Sequence, residues 1–269
     1  MLQFRVDPEK CTQCDACVND CPRGILRRKE GTPEAVAADC LECQHCLAVC
    51  PSGAISVFGL NPADSLPLSE GALPSRRQMK TFIRGRRSVR RFLAEDVPAA
   101  LIDELLADLA HAPSGCNARD LTFSVVSGRK AMAALLEKLI QAVETKLREI
   151  QADFITEAVE DYRKNGKDPI FEGAPHLLVV SHGEKAVCPR EDVVLALAYF
   201  ELLAQSAGLG TTWCGMVKFI ADMMPEVGGW FGLAPDTYFY AMIFGRPAVR
   251  YERTVQRDQA ARIRRLDFA

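Results

Sequence analysis

The sequence predicts an α+β chain made of two domains and a connector, and three observations carry that reading. At roughly 150 residues per domain, 269 residues allow about two. Eight of the eleven cysteines fall between Cys11 and Cys50, so one part of the chain has a chemistry that the rest lacks. Beyond residue 75, short apolar runs of strand length alternate with longer segments of helical period, the pattern of a layered sheet-and-helix domain. With 48% hydrophobic and 25% charged residues, the composition is that of an ordinary globular chain. The net charge of -2 gives no general attraction to nucleic acid or anionic membrane, so any electropositive site must be local. The start M-L-Q-F-R-V-D-P lacks the apolar run of a signal peptide, and the longest apolar stretch, around 193–204, contains Glu201 and is too short for a membrane span. The expectation is a soluble, cytoplasmic protein without nucleic-acid or membrane partners, whose thiols stay reduced and act as metal or cofactor ligands.

From Cys11 the chain reads C-T-Q-C-D-A-C-V-N-D-C-P, and from Cys40 it reads C-L-E-C-Q-H-C-L-A-V-C-P. Both runs are Cys-x2-Cys-x2-Cys-x3-Cys-Pro, the spacing of a cubane iron–sulfur ligand set, repeated 29 residues on (Cys11 to Cys40). Paired CxxC units also bind zinc, but zinc leaves the third cysteine and the Cys-Pro ending of each run without a role. His45, between Cys43 and Cys46, reads as a surface residue because four thiolates are already at hand. Residues 1–58 therefore resemble a two-[4Fe-4S] bacterial-type ferredoxin. In such proteins the last cysteine of each run ligates the other cluster. The resemblance thus assigns Cys11, Cys14, Cys17 and Cys50 to one cluster, and Cys40, Cys43, Cys46 and Cys21 to the second. So short a segment buries little core, and the clusters are expected to hold it folded.

Residues 59–75 are rich in Pro, Ser, Gly and Ala and read as a linker. The second domain, 76–269 with a basic C-terminal arm, opens on R-R-Q-M-K-T-F-I-R-G-R-R-S-V-R-R at 76–91, which has no acidic residue and calls for an anionic partner such as a phosphate. A helix follows, with Asp96 as cap, Pro98 in its first turn, and an apolar stripe of Leu101, Ile102, Leu105, Leu106 and Leu109. Strands are expected at 121–127, 176–182 and 238–244. A long amphipathic pattern occupies 130–164, and a helix at 193–207 is apolar on nearly every face, which suits a core or a subunit interface. Arg119 is expected to pair with Asp120, Cys116 and Cys214 to act as small packing residues, and His111, His176 and His182 to follow no catalytic spacing.

R-R-S-V-R-R-F at 86–92, P-S-G-C-N at 113–117 and G-L-G-T-T-W-C-G at 208–215 occur in the order seen in the nitroreductase family, which the second domain resembles over about 80–257. The resemblance implies a three-layer α/β/α domain and an obligate homodimer with FMN in each of two interface clefts. Carried over residue by residue, it assigns Arg86, Arg87 and Ser88 to the FMN phosphate and ribityl end and Arg90 to the pyrimidine edge. Pro113, Ser114 and Asn117 go to the segment contributed by the partner subunit, and Trp213, Cys214 and Gly215 to the stretch along the flavin. Arg253, with Arg250 as rival, becomes a second phosphate ligand. After Asn117 the family's usual continuation is replaced by Ala118, Arg119, Asp120 and Leu121, which leaves the substrate end undefined.

The expected function is an FMN-dependent nitroreductase-like oxidoreductase that passes electrons through two [4Fe-4S] clusters and FMN to a small organic acceptor, a nitroaromatic, quinone or activated alkene. An electron-donor protein is a candidate partner, and no catalytic side chain is nominated. Two alternatives stand beside it. One is a non-catalytic iron–sulfur and flavin carrier or redox sensor; the other is an NAD(P)H-driven flavoenzyme whose clusters are the electron exit.

Overall fold

A computed structural model describes residues 2–147, 153–258 and 260–268. The chain divides into two compact units. One runs to Ser75 and includes Cys116–Ala118; the other comprises Arg76–Gly115 and the chain from Arg119 onward.

The first unit holds two short antiparallel strand pairs. Strand β1 (Phe4–Val6) leads to a one-turn helix α1 (Ala16–Asn19), then β2 (Leu26–Lys29) and β3 (Thr32–Ala35), a second one-turn helix α2 (His45–Ala48), and β4 (Ile55–Val57). β1 pairs antiparallel with β4, and β2 with β3. The sequence repeat is a structural repeat as well. Leu26 and Ile55, 29 residues apart, are each 2% exposed and pack with Cys17 in one small core against Phe4, Val6 and Val18. Each Cys-x2-Cys-x2-Cys loop curls by the same device, a left-handed residue on either side of its middle cysteine. These are Gln13 (φ 57°) and Asp15 (φ 59°) in the first loop, Glu42 (φ 53°) and Gln44 (φ 59°) in the second. A non-glycine residue in that region costs about 1–2 kcal/mol, so four of them persist only where other interactions over-determine the loops.

The second unit begins with α3 (Arg76–Gly85) and α4 (Ala99–Asp108). Then come β5 (Leu121–Ser127), α5 (Arg129–Lys146), α6 (Asp153–Asn165), β6 (His176–His182), α7 (Pro189–Ser206), β7 (Gly210–Trp213), α8 (Gly215–Met223), α9 (Glu226–Trp230) and β8 (Phe239–Gly245). Its sheet has the order β5-β6-β8-β7, antiparallel at every pairing. Side-chain alternation divides the sheet into two faces. Leu177, Val179, Ala241 and Ile243 pack with α5, α6, α8 and α9, whereas Leu178, Val180, Met242 and Phe244 pack with α4 and α7. This is the three-layer α/β/α arrangement expected. With both faces covered, β6 is buried from His176 to Ser181, which explains why its sequence reads as a continuous apolar run rather than an alternation.

The strands at 121–127 and 176–182 match the sequence reading residue for residue, and the last strand and the apolar helix are displaced by only a few residues. Two expectations are corrected. The long amphipathic stretch at 130–164 is two helices, α5 and α6, rather than one pattern. The N-cap of α4 is Pro98 and lacks a side-chain cap; the Asp96 carboxylate instead accepts from the Arg129 N–H (3.1 Å) at the start of α5. The basic stretch, for which the sequence named no element, is helical over Arg76–Gly85. No helix among the described residues is long and apolar enough to cross a membrane.

Candidate functional site

The eight clustered cysteines separate into two sets of four. Cys11, Cys14, Cys17 and Cys50 line one small cavity with Val6, Pro33 and Ile55, and Cys21, Cys40, Cys43 and Cys46 line another with Phe4, Leu26 and Val57. Both sets are crossed in the way the ferredoxin resemblance implies, each drawing its fourth member from the other run. Among the described residues no three His, Cys, Asp or Glu side chains gather closely enough to hold a single metal ion. Backbone N–H groups are aimed at the sulfurs, among them Glu42 N–H at Cys40 Sγ (3.3 Å) and Ala54 N–H at Cys50 Sγ (3.2 Å). The thiols have different environments. The Ala16 N–H and the Thr12 hydroxyl hold Cys14 below the usual thiol range, while burial raises Cys17 and pushes Cys46 up to about 11. Four sulfurs around one apolar-walled cavity, with N–H donors directed at them, are a donor set suited to an anionic cubane cluster. His45 borders the second cavity, exposed, with its Nδ1 3.2 Å from Asp20 Oδ2.

In the second unit, three separated segments are joined side by side. Ser88 bridges Thr211 in β7, and the Val89 N–H donates to the Thr211 carbonyl (2.9 Å) while the Thr212 hydroxyl donates to the Val89 carbonyl (2.6 Å). A few residues on, Leu93 N–H donates to the Arg246 carbonyl (2.9 Å), and Ala248 N–H to the Arg91 carbonyl (2.8 Å). The R-R-S-V-R-R segment is thus stitched along the β7 edge on one side and along the chain after Gly245 on the other. Gly210 makes the join possible, because a Cβ there would lie 2.6 Å from Val89 Cγ2. A cleft of ≈ 680 Å³ opens at this junction, lined among others by Arg87, Val89, Gln205, Gly208, Thr211 and Arg250. Two guanidinium-bearing residues on one cleft fit an anionic ligand.

Arg86, Ser88, Arg90 and Arg253 are not among the residues that line it. Arg86 Nη1 donates to Glu201 Oε1 (2.9 Å), a carboxylate from α7 that is largely buried. Arg90 and Arg253 are exposed, and Arg250 Nε lies 3.2 Å from Glu252 Oε1. Gln205, also on α7, donates its amide to the Phe82 carbonyl (2.7 Å) and fixes the end of α3.

The P-S-G-C-N segment is a tight and strained loop. Cys116 (φ 50°), Asn117 (φ 55°) and Arg119 (φ 49°) are all left-handed. In the second unit, Gly115 N–H donates to Asp192 Oδ1 (2.9 Å), a carboxylate only 2% exposed in the first turn of α7, and Arg119 N–H donates to Ser114 Oγ (2.9 Å). Asn117 groups with the first unit, where its amide donates to the Leu41 carbonyl (2.8 Å). The Asp120 carboxylate accepts from the Lys185 N–H.

Trp213, Cys214 and Gly215 form the turn from β7 into α8. Trp213 meets Tyr240 edge-on, at 5.6 Å between ring centroids. Cys214 is buried, donates to the Ile170 carbonyl (3.4 Å), and is pushed up to about 12 by that burial, which agrees with a packing rather than a redox part. His176 is fully buried. Its Nε2 accepts from Val97 N–H (2.8 Å), its Nδ1 lies 3.1 Å from Ser127 Oγ, and its ring stacks on Phe244. It is a structural clamp with its pKa lowered by burial.

Sequence reasoning passed over Asp192, Glu201 and Thr212. For Glu201 a signal was available, since a lone carboxylate in an otherwise apolar helix needs a buried partner. Asp192 and Thr212 bond to backbone of distant segments, and nothing local in the sequence marks such pairings.

The nitroreductase family model matches residues 83–246, and the model of a 4Fe-4S dicluster domain matches residues 10–55. An iodotyrosine deiodinase of Thermotoga neapolitana is 30% identical over 126 residues, 47% of this chain and 67% of the relative. A protein named putative NAD(P)H nitroreductase YfhC, from Bacillus subtilis, is 29% identical over 170 residues, 61% of this chain and 81% of the relative. Among solved structures, the FMN-bound nitroreductase of Bacteroides fragilis superposes with a TM-score of 0.55 at 23% identity, covering 68% of this chain and 97% of its own.

Proposed function

The chain belongs to the nitroreductase family and carries a 4Fe-4S dicluster domain ahead of it, and from that premise we propose that it is an FMN-dependent oxidoreductase that passes electrons through two [4Fe-4S] clusters and FMN to a small organic acceptor. The observation that carries this reading is the junction itself: the R-R-S-V-R-R segment, the β7 edge and the chain after Gly245 meet at one cleft lined by Arg87 and Arg250. When bound, the clusters supply one-electron transfer and the flavin supplies the exchange between single electrons and pairs.

The chain's own residues have these roles. Cys11, Cys14, Cys17 and Cys50 hold one cluster, and Cys21, Cys40, Cys43 and Cys46 the other, on the support of their two separate cavities. Arg86, Arg87, Ser88, Arg250 and Arg253 supply charge and hydrogen bonds for the FMN phosphate. Arg86 already gives one donor to Glu201 and offers only the others. Arg90 sets a cation at the pyrimidine edge, where reduced flavin gathers negative charge, and so favours reduction. Trp213, Cys214 and Gly215 offer backbone along the ring, and Pro113, Ser114 and Asn117 serve a site shared with a second copy. The exposed face of α7, with Val194, Leu195 and Tyr199 each about two-fifths accessible, and the arm carrying Ile263 and Phe268 support that homodimer.

The acceptor class is nitroaromatics, quinones and activated alkenes, and the deiodinases among the relatives add halogenated aromatics to the panel. The decisive experiment reduces the purified protein with dithionite in the absence of oxygen and mixes it with one member of each class. Rapid flavin reoxidation by at least one is expected; reoxidation no faster than in buffer by all of them rejects the enzyme reading in favour of a carrier. The name of the Bacillus relative raises NAD(P)H as a reductant. Stopped-flow mixing with NADH and NADPH checks this, and prompt bleaching of the flavin would make the clusters an exit.

A further inference from the structure

The two halves of the first unit repeat in sequence and backbone, but they are not braced alike. In the first loop, the left-handed residues Gln13 and Asp15 flank Cys14, the one exposed thiol among the eight. Both are gripped by a single side chain, Arg28 of β2. Its Nε donates to Asp15 Oδ1 (2.9 Å) and its Nη2 lies 2.6 Å from Asp15 Oδ2, the two-pronged geometry of a guanidinium on a carboxylate. Its Nη1 donates to Gln13 Oε1 (3.3 Å) and its Nη2 also to the Gln13 carbonyl. Solvent-exposed ion pairs contribute little unless the geometry is bidentate or several groups form a network, and this one meets both conditions. The loop it grips lines the cavity of Cys11, Cys14, Cys17 and Cys50.

The equivalent position in the second half is fixed by the repeat. Leu26 and Ile55 are partners 29 residues apart and share one core, so Arg28 corresponds to Val57, which is 1% exposed and has no side-chain donor. The left-handed backbone of Glu42 and Gln44 recurs, but the arginine that grips Gln13 and Asp15 has no counterpart at that position. Both loops carry the same strain, and where the first has Arg28 the second has the buried Val57.

We propose that Arg28 is a positioning residue of the first cluster site: its guanidinium fork holds Gln13 and Asp15 so that Cys14 stays in ligating geometry, and it acts on this site and not on the second. The inference rests on the reading of the eight cysteines as two cluster sites. It predicts that the two sites differ in what holds them, with the first dependent on a side chain that is not a ligand.

The test follows iron release from the full chain, reconstituted without oxygen and challenged with an iron chelator. Wild-type protein with about eight iron atoms per chain establishes the two-cluster reading; markedly fewer rejects that reading before Arg28 enters. With wild type at eight, Arg28→Gln is expected to release about half its iron at least tenfold faster than the rest, and its reduced electron paramagnetic resonance spectrum then loses the splitting between two coupled clusters. Arg28→Lys should behave in the same way, because a single ammonium cannot span the acceptors of Asp15 and Gln13. Arg27→Gln, whose guanidinium donates to the neighbouring Leu26 carbonyl, is the control and should match wild type. Unchanged release from Arg28→Gln, loss of all iron in one faster phase, or wild-type behaviour of Arg28→Lys overturns the proposal.

Discussion

The two units solve the same problem, holding a defined backbone against its entropy, with opposite means. The second buries both faces of a four-stranded sheet under helices, so that Leu177, Leu178, Val180, Phe200, Ala241 and Phe244 are wholly enclosed. In the first, Leu26, Ile55 and Cys17 form a core of a few side chains, and the backbone carries left-handed residues at Gln13, Asp15, Glu42 and Gln44 that this core cannot by itself enforce. A unit that small usually needs a staple. The comparison teaches that cysteine placement in the first unit is a stability argument, while in the second the cysteines are incidental to it.

The largest expected effect breaks the molecule along that line. Stripping iron from the holoprotein should unfold the first unit and leave the second intact. Both tryptophans, Trp213 and Trp230, lie in the second unit, so their fluorescence reports on it alone, while resistance of the segment before Ser75 to proteolysis reports on the first. Loss of that resistance with an unchanged tryptophan melting temperature is expected. Joint loss of both would show that the second unit leans on the first.

Within the second unit, Gly210→Ala should have the next largest effect. The added Cβ collides with Val89, whose backbone is bonded to Thr211 and Thr212, so either β7 or the R-R-S-V-R-R segment must move. Overpacking of this kind costs about 1–3 kcal/mol. It should also weaken FMN retention, because the displaced segment lines the cleft; wild-type FMN affinity in a destabilised variant would detach the cleft from the cofactor. Urea unfolding with and without added FMN measures both.

His176 sharpens the comparison through pH. Burial lowers its pKa in the folded state, so folding prefers the neutral ring. The stabilisation is therefore full above the unfolded value of about 6.5, and it declines as pH falls below that towards the lowered folded value. Urea midpoints of the tryptophan transition should fall between pH 7 and pH 5 in wild type and fall less in His176→Gln. An equal decline in both would assign the acid sensitivity to other groups.

Much of this was legible in the sequence for reasons that separate the two units again. Ligand spacing is a local property, so the two runs of four cysteines were legible in the repeat, while their crossing into two sets came from the ferredoxin resemblance. β5 and β6 could be placed to the residue because a strand buried on one or both faces has few other compositions available. What stayed hidden depends on long-range pairing. β7 is a four-residue strand of Gly, Thr, Thr and Trp, with no apolar alternation to mark it, and it exists because β8 and the Ser88 segment flank it. The boundary inside 130–164 was invisible because amphipathic period continues on both sides of it. The hold of Asp192 on Gly115 and of Glu201 on Arg86 requires knowing that α7 passes beside both motifs.

The smallest expected effect is the most instructive, because it sets two arginines of like chemistry against each other. Arg163 of α6 forks across Glu137 and Glu144 of α5, with four contacts between 2.7 and 3.0 Å, and both carboxylates are held below their usual range by it. By geometry it is at least as good a brace as Arg28. Yet α5 and α6 are already joined by Leu139, Ile140, Val143, Ile155 and Val159, and an exposed network adds little to elements that packing has fixed. Arg163→Gln should therefore shift the tryptophan melting temperature by no more than about 2–4 °C, while Arg28→Gln changes which iron is retained. If Arg163→Gln instead unfolded the second unit, packing would not be what holds it, and the contrast drawn between the units would fail.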